Sequence, residues 1–492
     1  MAFRGSAANG GMNMTARTSK QYLAGLSDER EVWLNGRRVK VTEEPALQGS
    51  LRGMAGYYDW QHRHAEDCLV TDAVSGQPMS ASLIIPRSRE DLAARHRCYE
   101  RLARYSYGML GRTPDYCNTT LSGQAGRPDI WAKGEMRHHD NLKRFHREVI
   151  EGDLSLTHTI IHAAIDRSIP ELAGMNADLT LRVTERRSDR IVVSGAKLLA
   201  TLGPFADEIF VYPAAPIQKG EEKYALAFAV PVKTKGVIQV CRDHYGVDAA
   251  VRDRPFSSRF DEQDSFVIFD NVEVPNERVF VDGNIEVYNA IAPAVFPGNV
   301  LQQTAIRAAV KLEFAYDLCV QMARAQNNEK RPDVVMMLGE IYGYLQMTRM
   351  AIHSAETRAF DTGSGAFFPH PDLAIVKTFM PMWMLRVNDI IDTLGAHNLL
   401  VTPTLDTFDD ARMRALLERY MPGANGMSAQ ERTRIFRTAW DFSGSALGSR
   451  VELYERYYLG SRQRALAGDH FTAQAAEKWG QVHSFLKDSG AL

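Results

Sequence analysis

The sequence predicts an α+β protein with an N-terminal helical domain, a middle antiparallel β-domain and a C-terminal helical bundle. Three observations carry this prediction. Apolar residues recur at helical spacing up to about residue 150. Short β-branched runs separated by turn residues fill about 175 to 285. Two long, strongly apolar helical segments follow beyond 286. The boundaries read as 16–150, 151–285 and 286–492, with 1–15 expected as a disordered start.

In the first zone, Ser88 and Asp91 resemble a capping box opening a helix through about Met109. Leu92, Tyr99, Leu102 and Met109 would form its apolar face, and Gly111 with Pro114 would end it. The middle zone carries LTLRVTE, RIVVSGAKLLAT, EIFVYPA, YALAFAVPV, GVIQVCR and SFVIFDNVEVP. These runs read as strands of a compact antiparallel sheet rather than βαβ units. No GxGxxG leads from a strand into a helix, which argues against a Rossmann dinucleotide site. In the last zone, VLQQTAIRAAVKLEFAYDLCVQMA and VVMMLGEIYGYLQMTRMAIHSAETRAF need burial on more than one face, so a bundle with subunit contacts is expected. MPGANGM, at 421–427, reads as a turn between helices. Helical domain, β-domain and bundle in that order suit the acyl-CoA dehydrogenase architecture.

Composition narrows the function classes. Of 492 residues, 45% are hydrophobic and 24% charged, as in an ordinary globular protein. A formal charge of −2 and a pI near 6.7 give no electrostatic case for nucleic acid or an anionic membrane. No apolar run reaches the roughly 18 residues of a transmembrane helix, and the first residues lack the apolar core of a signal peptide. Five cysteines without CxxC spacing predict reduced thiols, a cytoplasmic location and no metal site.

Several segments could carry chemistry. GRTPDY follows a helix end, and its Arg112 offers a fork of donors to a carboxylate or phenolate, with Tyr116 adding a hydroxyl; on composition alone a structural turn with a solvated arginine is the default reading. LTHTIIHAAIDR places His158 and His162 at i, i+4, one face of a helix, but the glutamate of HExxH is missing. A single functional histidine there competes with a satisfied core histidine. His62, His64, His138 and His139 lie in polar stretches and read as surface residues. Thr201 ends SGAKLLAT at a strand rim, where a hydroxyl suits the edge of a flavin ring. SSRFDEQD, 257–264, reads as a solvated loop with local Arg–Asp pairs. LGAHNLLVTPT, 394–404, is either an ordinary loop or a backbone cradle for a phosphate.

Together, SKQYLAGLSDEREVWLNGRRVK, GRTPDY, VVSGAKLLAT, the SSRFDE–VIFDNVEVPNERVF block and GSALGSRVELYERYYL resemble the 4-hydroxyphenylacetate 3-monooxygenase oxygenase family, in the family's order and over nearly the whole chain. That family includes chlorophenol monooxygenases and hydroxylases of natural-product pathways. The resemblance implies an acyl-CoA dehydrogenase-like fold, a homotetramer, and FADH2 (or FMNH2) delivered by a separate NAD(P)H flavin reductase. It implies O2 as co-substrate, a flavin 4a-hydroperoxide, and ortho-hydroxylation of a phenol that is either a small molecule or an aryl group tethered to a carrier protein. By motif, Arg112, Tyr116 and His158 resemble the residues around the phenol oxygen. Thr159, Thr201, Gln303, Arg307 and Asn398 resemble flavin-facing residues. Gln302 and Gln303 depart from relatives that carry a histidine in the LQQT stretch, and the stretch between Tyr116 and His158 is longer than in relatives.

Other readings compete. An acyl-CoA dehydrogenase proper would need a catalytic carboxylate, for which Glu340 and Glu356 are available. A 4-hydroxybutyryl-CoA dehydratase type would need a cysteine- and histidine-bound cluster, and Cys98 and Cys117 stand isolated. A non-enzymatic helical scaffold is the remaining alternative.

Overall fold

The computed structural model describes residues 16–163, 178–476 and 480–490. The expected disordered start at 1–15 lies outside them. The chain is α+β and divides into two compact units. One comprises the chain up to Lys311 together with Ala355–His370. The other comprises Leu312–Ser354 and the chain from Pro371.

In the first unit the Arg89–Ser106 helix begins where the sequence places it: the Asp91 N–H donates to the Ser88 hydroxyl at 3.2 Å, and Leu92, Tyr99 and Leu102 are buried. It ends three residues before Met109. Tyr107 and Gly108 turn left-handed, at φ 51° and 75°. A Cβ on Gly108 would stand 2.7 Å from the Lys311 side chain and 2.8 Å from the Arg307 carbonyl, so the chain turns there because only glycine lets it pass the Leu301–Gln326 helix. Pro114 is not a stop signal; it opens the Pro114–Ala125 helix. Every residue of that helix is buried. His138 and His139, read from sequence as surface residues, are also buried, and the Met136–Gly152 helix turns His139 onto Trp131 and the end of the Pro114–Ala125 helix. The His139 ring nitrogen Nε2 lies 3.1 Å from the Ala125 carbonyl.

All six predicted β runs form strands. One sheet orders them Arg37–Val39, Glu31–Leu34, Val237–Cys241, Asp264–Pro275, Arg190–Thr201, Arg182–Arg186. A second orders Val279–Asp282, Leu226–Pro231, Glu208–Val211, Leu156–His158. The ladders among the six predicted runs and Val279–Asp282 are antiparallel. The short strands Glu31–Leu34 and Leu156–His158 add a parallel pairing to each sheet. Val193, Val267 and Phe269 of the first sheet and Ile209, Val211 and Phe228 of the second share one apolar core. Each such side chain contributes roughly 1.5–3 kcal/mol of burial. A second core joins the Pro114–Ala125 helix, through Tyr116, Cys117 and Leu121, to Phe145, Leu156, Phe210 and Tyr212.

The second unit is built from helices, including Ile375–Gly395, Ala411–Tyr420, Ala429–Ala439 and Ala446–Tyr457. Residues 421–427 form the turn expected between two of them, with Gly426 at φ 79°. Among the described residues no helix is long and apolar enough to cross a membrane.

Candidate active site

The Pro114–Ala125 helix and the Leu156–His158 strand bring the predicted phenol-binding residues together. The Arg112 guanidinium lies over the Tyr116 ring, 3.9 Å from its centroid. The Tyr116 ring meets the His158 ring edge-on at 5.2 Å. Arg112 is half-buried, whereas Tyr116 and His158 are 3% and 8% exposed. Burial and the nearby Arg112 charge hold His158 well below the usual histidine range, so its ring is neutral at pH 7. Burial likewise pushes the Tyr116 phenol up. The segment around His158 is extended rather than helical, since Thr159 bridges Ala200 and His162 bridges Lys197. His162 faces Lys197, whose ammonium burial lowers to about 7. Among the described residues no cluster of three or more His, Cys, Asp or Glu could hold a metal.

Two residues that the sequence did not single out complete this arrangement. Tyr212, at the end of EIFVY, places its hydroxyl 2.7 Å from His158 Nδ1. Glu262 accepts the backbone N–H groups of Gly111 and Arg112 at 2.7 and 2.5 Å. The SSRFDEQD segment is therefore not a solvated loop: Ser257, Ser258, Asp261, Glu262 and Gln263 are all buried. Asp261 pays for that burial with bonds from His244 and Arg242, which override the upward push of desolvation and hold it below the usual carboxylate range. Neither Tyr212 nor Glu262 carries a local signal. Each reaches the GRTPDY loop or His158 from a distant strand or loop.

The residues expected at the flavin divide into three groups. Thr159 and Thr201 lie together at one strand edge, where Thr159 pairs with Ala200 and the Thr157 hydroxyl donates to the Thr201 carbonyl at 2.8 Å. The Thr201 hydroxyl donates to Asp264 at 2.8 Å. The Thr159 hydroxyl is fully buried with no hydrogen-bond partner among the described residues. Gln303 and Arg307 brace the GRTPDY region: Gln303 donates to Asp115 at 2.8 Å, and Arg307 donates to the Gly108 carbonyl at 2.8 Å. Asp115 also accepts from Tyr57, and its burial raises its carboxyl above the ordinary range. Asn398 belongs to the second unit, where it bonds Gln326 and Arg432.

Comparison with known proteins identifies the family. A family model described as 4-hydroxyphenylacetate 3-hydroxylase N terminal matches residues 18–281, and one described as its C terminal matches 297–487. A 4-hydroxyphenylacetate 3-monooxygenase oxygenase component of Geobacillus sp. (strain PA-9) is 34% identical over 490 residues, 98% of each chain. A Streptomyces globisporus monooxygenase named for a carrier-bound 3-amino-3-(3-chloro-4-hydroxyphenyl)propanoyl substrate is 32% identical, over 91% of this chain and 85% of that one. The solved oxygenase component of 4-hydroxyphenylacetate 3-monooxygenase, in complex with FAD and 4-hydroxyphenylacetate, matches with a TM-score of 0.89 at 32% identity, covering 96% of this chain and 99% of that one. An archaeal 4-hydroxybutyryl-CoA dehydratase from N. maritimus, at 17% identity and a TM-score of 0.84 over 97% and 95% of the two chains, shares the acyl-CoA dehydrogenase-like fold. Two consecutive family models that span most of its length, and relatives aligned nearly end to end, leave one conclusion: the chain belongs to the 4-hydroxyphenylacetate 3-hydroxylase family.

Proposed function

We propose that this chain is the oxygenase component of a two-component, reduced-flavin-dependent aromatic monooxygenase that hydroxylates a phenol ortho to its hydroxyl group. The observation that carries the reading is the convergence of Arg112, Tyr116 and a neutral, buried His158 at one helix start. Arg112 supplies a positive charge that favours a phenolate or pairs with a substrate carboxylate. His158 takes or shares the phenol proton, which makes the ring more electron-rich. Tyr116 orients the phenol and packs against it. The substrate is a 4-hydroxyphenylacetate-, tyrosyl- or chlorophenol-like phenol, free or carrier-tethered; two of the relatives are named for those two alternatives.

The cofactor is FADH2, with FMNH2 as the alternative and O2 as co-substrate, and a separate NAD(P)H flavin reductase supplies it. Reduced flavin, when bound, supplies the electrons that activate oxygen for transfer to the ring. The residues present fit such a group. Thr159 offers an unpartnered buried hydroxyl, and Thr201, whose proton is committed to Asp264, keeps lone pairs to accept an N–H. Gln303 and Arg307 support the flavin site from beside the GRTPDY loop, and Asn398, in the second unit, is assigned to the flavin of a neighbouring subunit. The chain acts in the cytoplasm as a homotetramer. Five free cysteines suit the compartment. The Pro332–Thr357 helix exposes Met336 (68%), Met350 (60%), Val335 and Tyr342, an apolar surface that a partner subunit would cover.

The test compares Arg112→Ala with Tyr116→Phe for phenol affinity and for FAD binding measured by fluorescence. Arg112→Ala should weaken phenol binding by roughly 10–150-fold, the range of a lost charge-assisted hydrogen bond. Tyr116→Phe should cost less, and FAD binding should survive both. If Arg112→Ala abolishes FAD binding while phenol affinity stands, Arg112 belongs to the flavin site and the assignment fails.

A further inference from the structure

The bonds that support Arg112 and those that support Thr201 meet at one guanidinium. Arg242 directly follows the Val237–Cys241 strand, and its backbone N–H donates to the Asp264 carbonyl at 3.3 Å. An arginine side chain carries five N–H donors in one rigid plane and keeps its charge at neutral pH. Here each donor meets an acceptor. Nε donates to Asp264 at 3.1 Å. Nη1 donates to the Asp243 carbonyl at 2.7 Å and to Asp261 at 3.1 Å, and Nη2 to Asp261 at 2.7 Å and the Glu262 carbonyl at 3.1 Å. The guanidinium also lies over the Tyr245 ring, 4.1 Å from its centroid, and the Tyr245 N–H donates to the same Asp261 carboxylate at 2.7 Å. Its plane is thus fixed from its edge and from its face.

The acceptors lead in two directions. In one, Arg242 holds Asp261 and the main chain of Glu262, whose carboxylate takes the N–H groups of Gly111 and Arg112. His244 grips the same tripeptide from another side, with Nδ1 3.0 Å from Asp261 and 2.8 Å from Gln263. In the other, Asp264 stands opposite Thr201 in the strand ladder and accepts its hydroxyl proton at 2.8 Å. We propose that Arg242 is a positioning residue shared by both halves of the site: through Glu262 it sets the loop that carries Arg112, and through Asp264 it sets the Thr201 hydroxyl. The inference rests on the reading of Arg112 as phenol-facing and Thr201 as flavin-facing, and adds the group that holds both in one frame. Only a planar fork spans the two carboxylates, of Asp261 and Asp264, while also reaching a carbonyl between them in sequence; a single ammonium does not.

The experiment uses the full-length protein and measures two affinities: for FAD by fluorescence, and for 4-hydroxyphenylacetate by calorimetry with oxidised FAD present. R242M should weaken both, each by about three- to tenfold, within the span of coupling between contacting residues. E262Q should weaken phenol binding and leave FAD affinity unchanged, and D264N should do the reverse. In double variants the effects should not multiply: E262Q should take little further phenol affinity from R242M, and D264N little further FAD affinity. R242K should recover one affinity and not both, and it carries the test if R242M does not fold. A merely structural arginine would lower the melting temperature while its effects multiply with those of E262Q and D264N; that result overturns the proposal, as do wild-type affinities in R242M or the recovery of both in R242K. T201A locates a failure on the flavin side. If T201A weakens FAD binding and R242M does not, Arg242 alone is misassigned. If T201A also leaves FAD binding unchanged, the placement of Thr201 at the flavin fails and the shared role falls with it.

Discussion

Glu262 fixes where Arg112 can stand. Its buried carboxylate takes two consecutive backbone N–H groups, of Gly111 and Arg112, so the loop is held by its main chain while the guanidinium lies over Tyr116. Glu262→Gln keeps the shape but turns charge-assisted bonds into neutral ones, a loss of about 1 kcal/mol, or roughly fivefold in binding. The phenol KM should rise by that factor with kcat little changed; a fall in melting temperature with KM unchanged would mean a structural role only. At this scale the sequence was informative where a residue sits inside a continuous motif. Arg112 and Tyr116 are separated by only three residues, Thr113 to Asp115, and share one helix start, so GRTPDY shows both. Tyr212 and Glu262 act on that motif from separate segments, and no spacing rule connects them to it. The charge density of SSRFDEQD pointed to solvent; the ion pairs of Asp261 and the N–H bonds of Glu262 are what permit its burial.

Among the elements, the Arg190–Thr201 strand does the most to shape the site, since it pairs with Thr159 at one end and ends on Thr201. Its middle bends at Gly195, φ 124°, opposite a register shift between Phe269 and Val272. A Cβ there would lie 2.6 Å from the backbone of Leu181. Gly195→Ala should cost about 2–3 kcal/mol in urea unfolding, from left-handed strain and that contact together. A variant as stable as the wild type would show that the bend is not required. The β runs were legible because β-branched alternation and turn residues surround each one. The Glu31–Leu34 and Arg37–Val39 hairpin was missed inside a zone read as helical, although Asn35 and Gly36, at φ 51° and 78°, are the favoured pair for such a turn. The early end of the Arg89–Ser106 helix was hidden for a different reason: it depends on how closely Gly108 approaches a helix two hundred residues away in sequence, roughly the separation between Gly108 and Arg307.

For the whole molecule the central claim is a division of labour: this chain binds the phenol and the reduced flavin, and another protein handles the nicotinamide. The order of helical, β and helical zones was readable from periodicity, and the family from motifs in order, because both are properties of continuous sequence. What packs on the exposed apolar face of the Pro332–Thr357 helix depends on surface complementarity rather than on periodicity and is not legible in that way. The most direct test supplies the protein with chemically reduced FAD, 18O-labelled O2 and 4-hydroxyphenylacetate, with no nicotinamide and no reductase, and measures the product by mass spectrometry. The account predicts an ortho-diphenol carrying one 18O atom, formed in proportion to the reduced FAD supplied and absent when flavin is omitted. Unaltered phenol from every phenol in a panel of hydroxyphenylacetate, tyrosyl and chlorophenol substrates, or hydroxylation driven by NADH and oxidised FAD without a reductase, would contradict it.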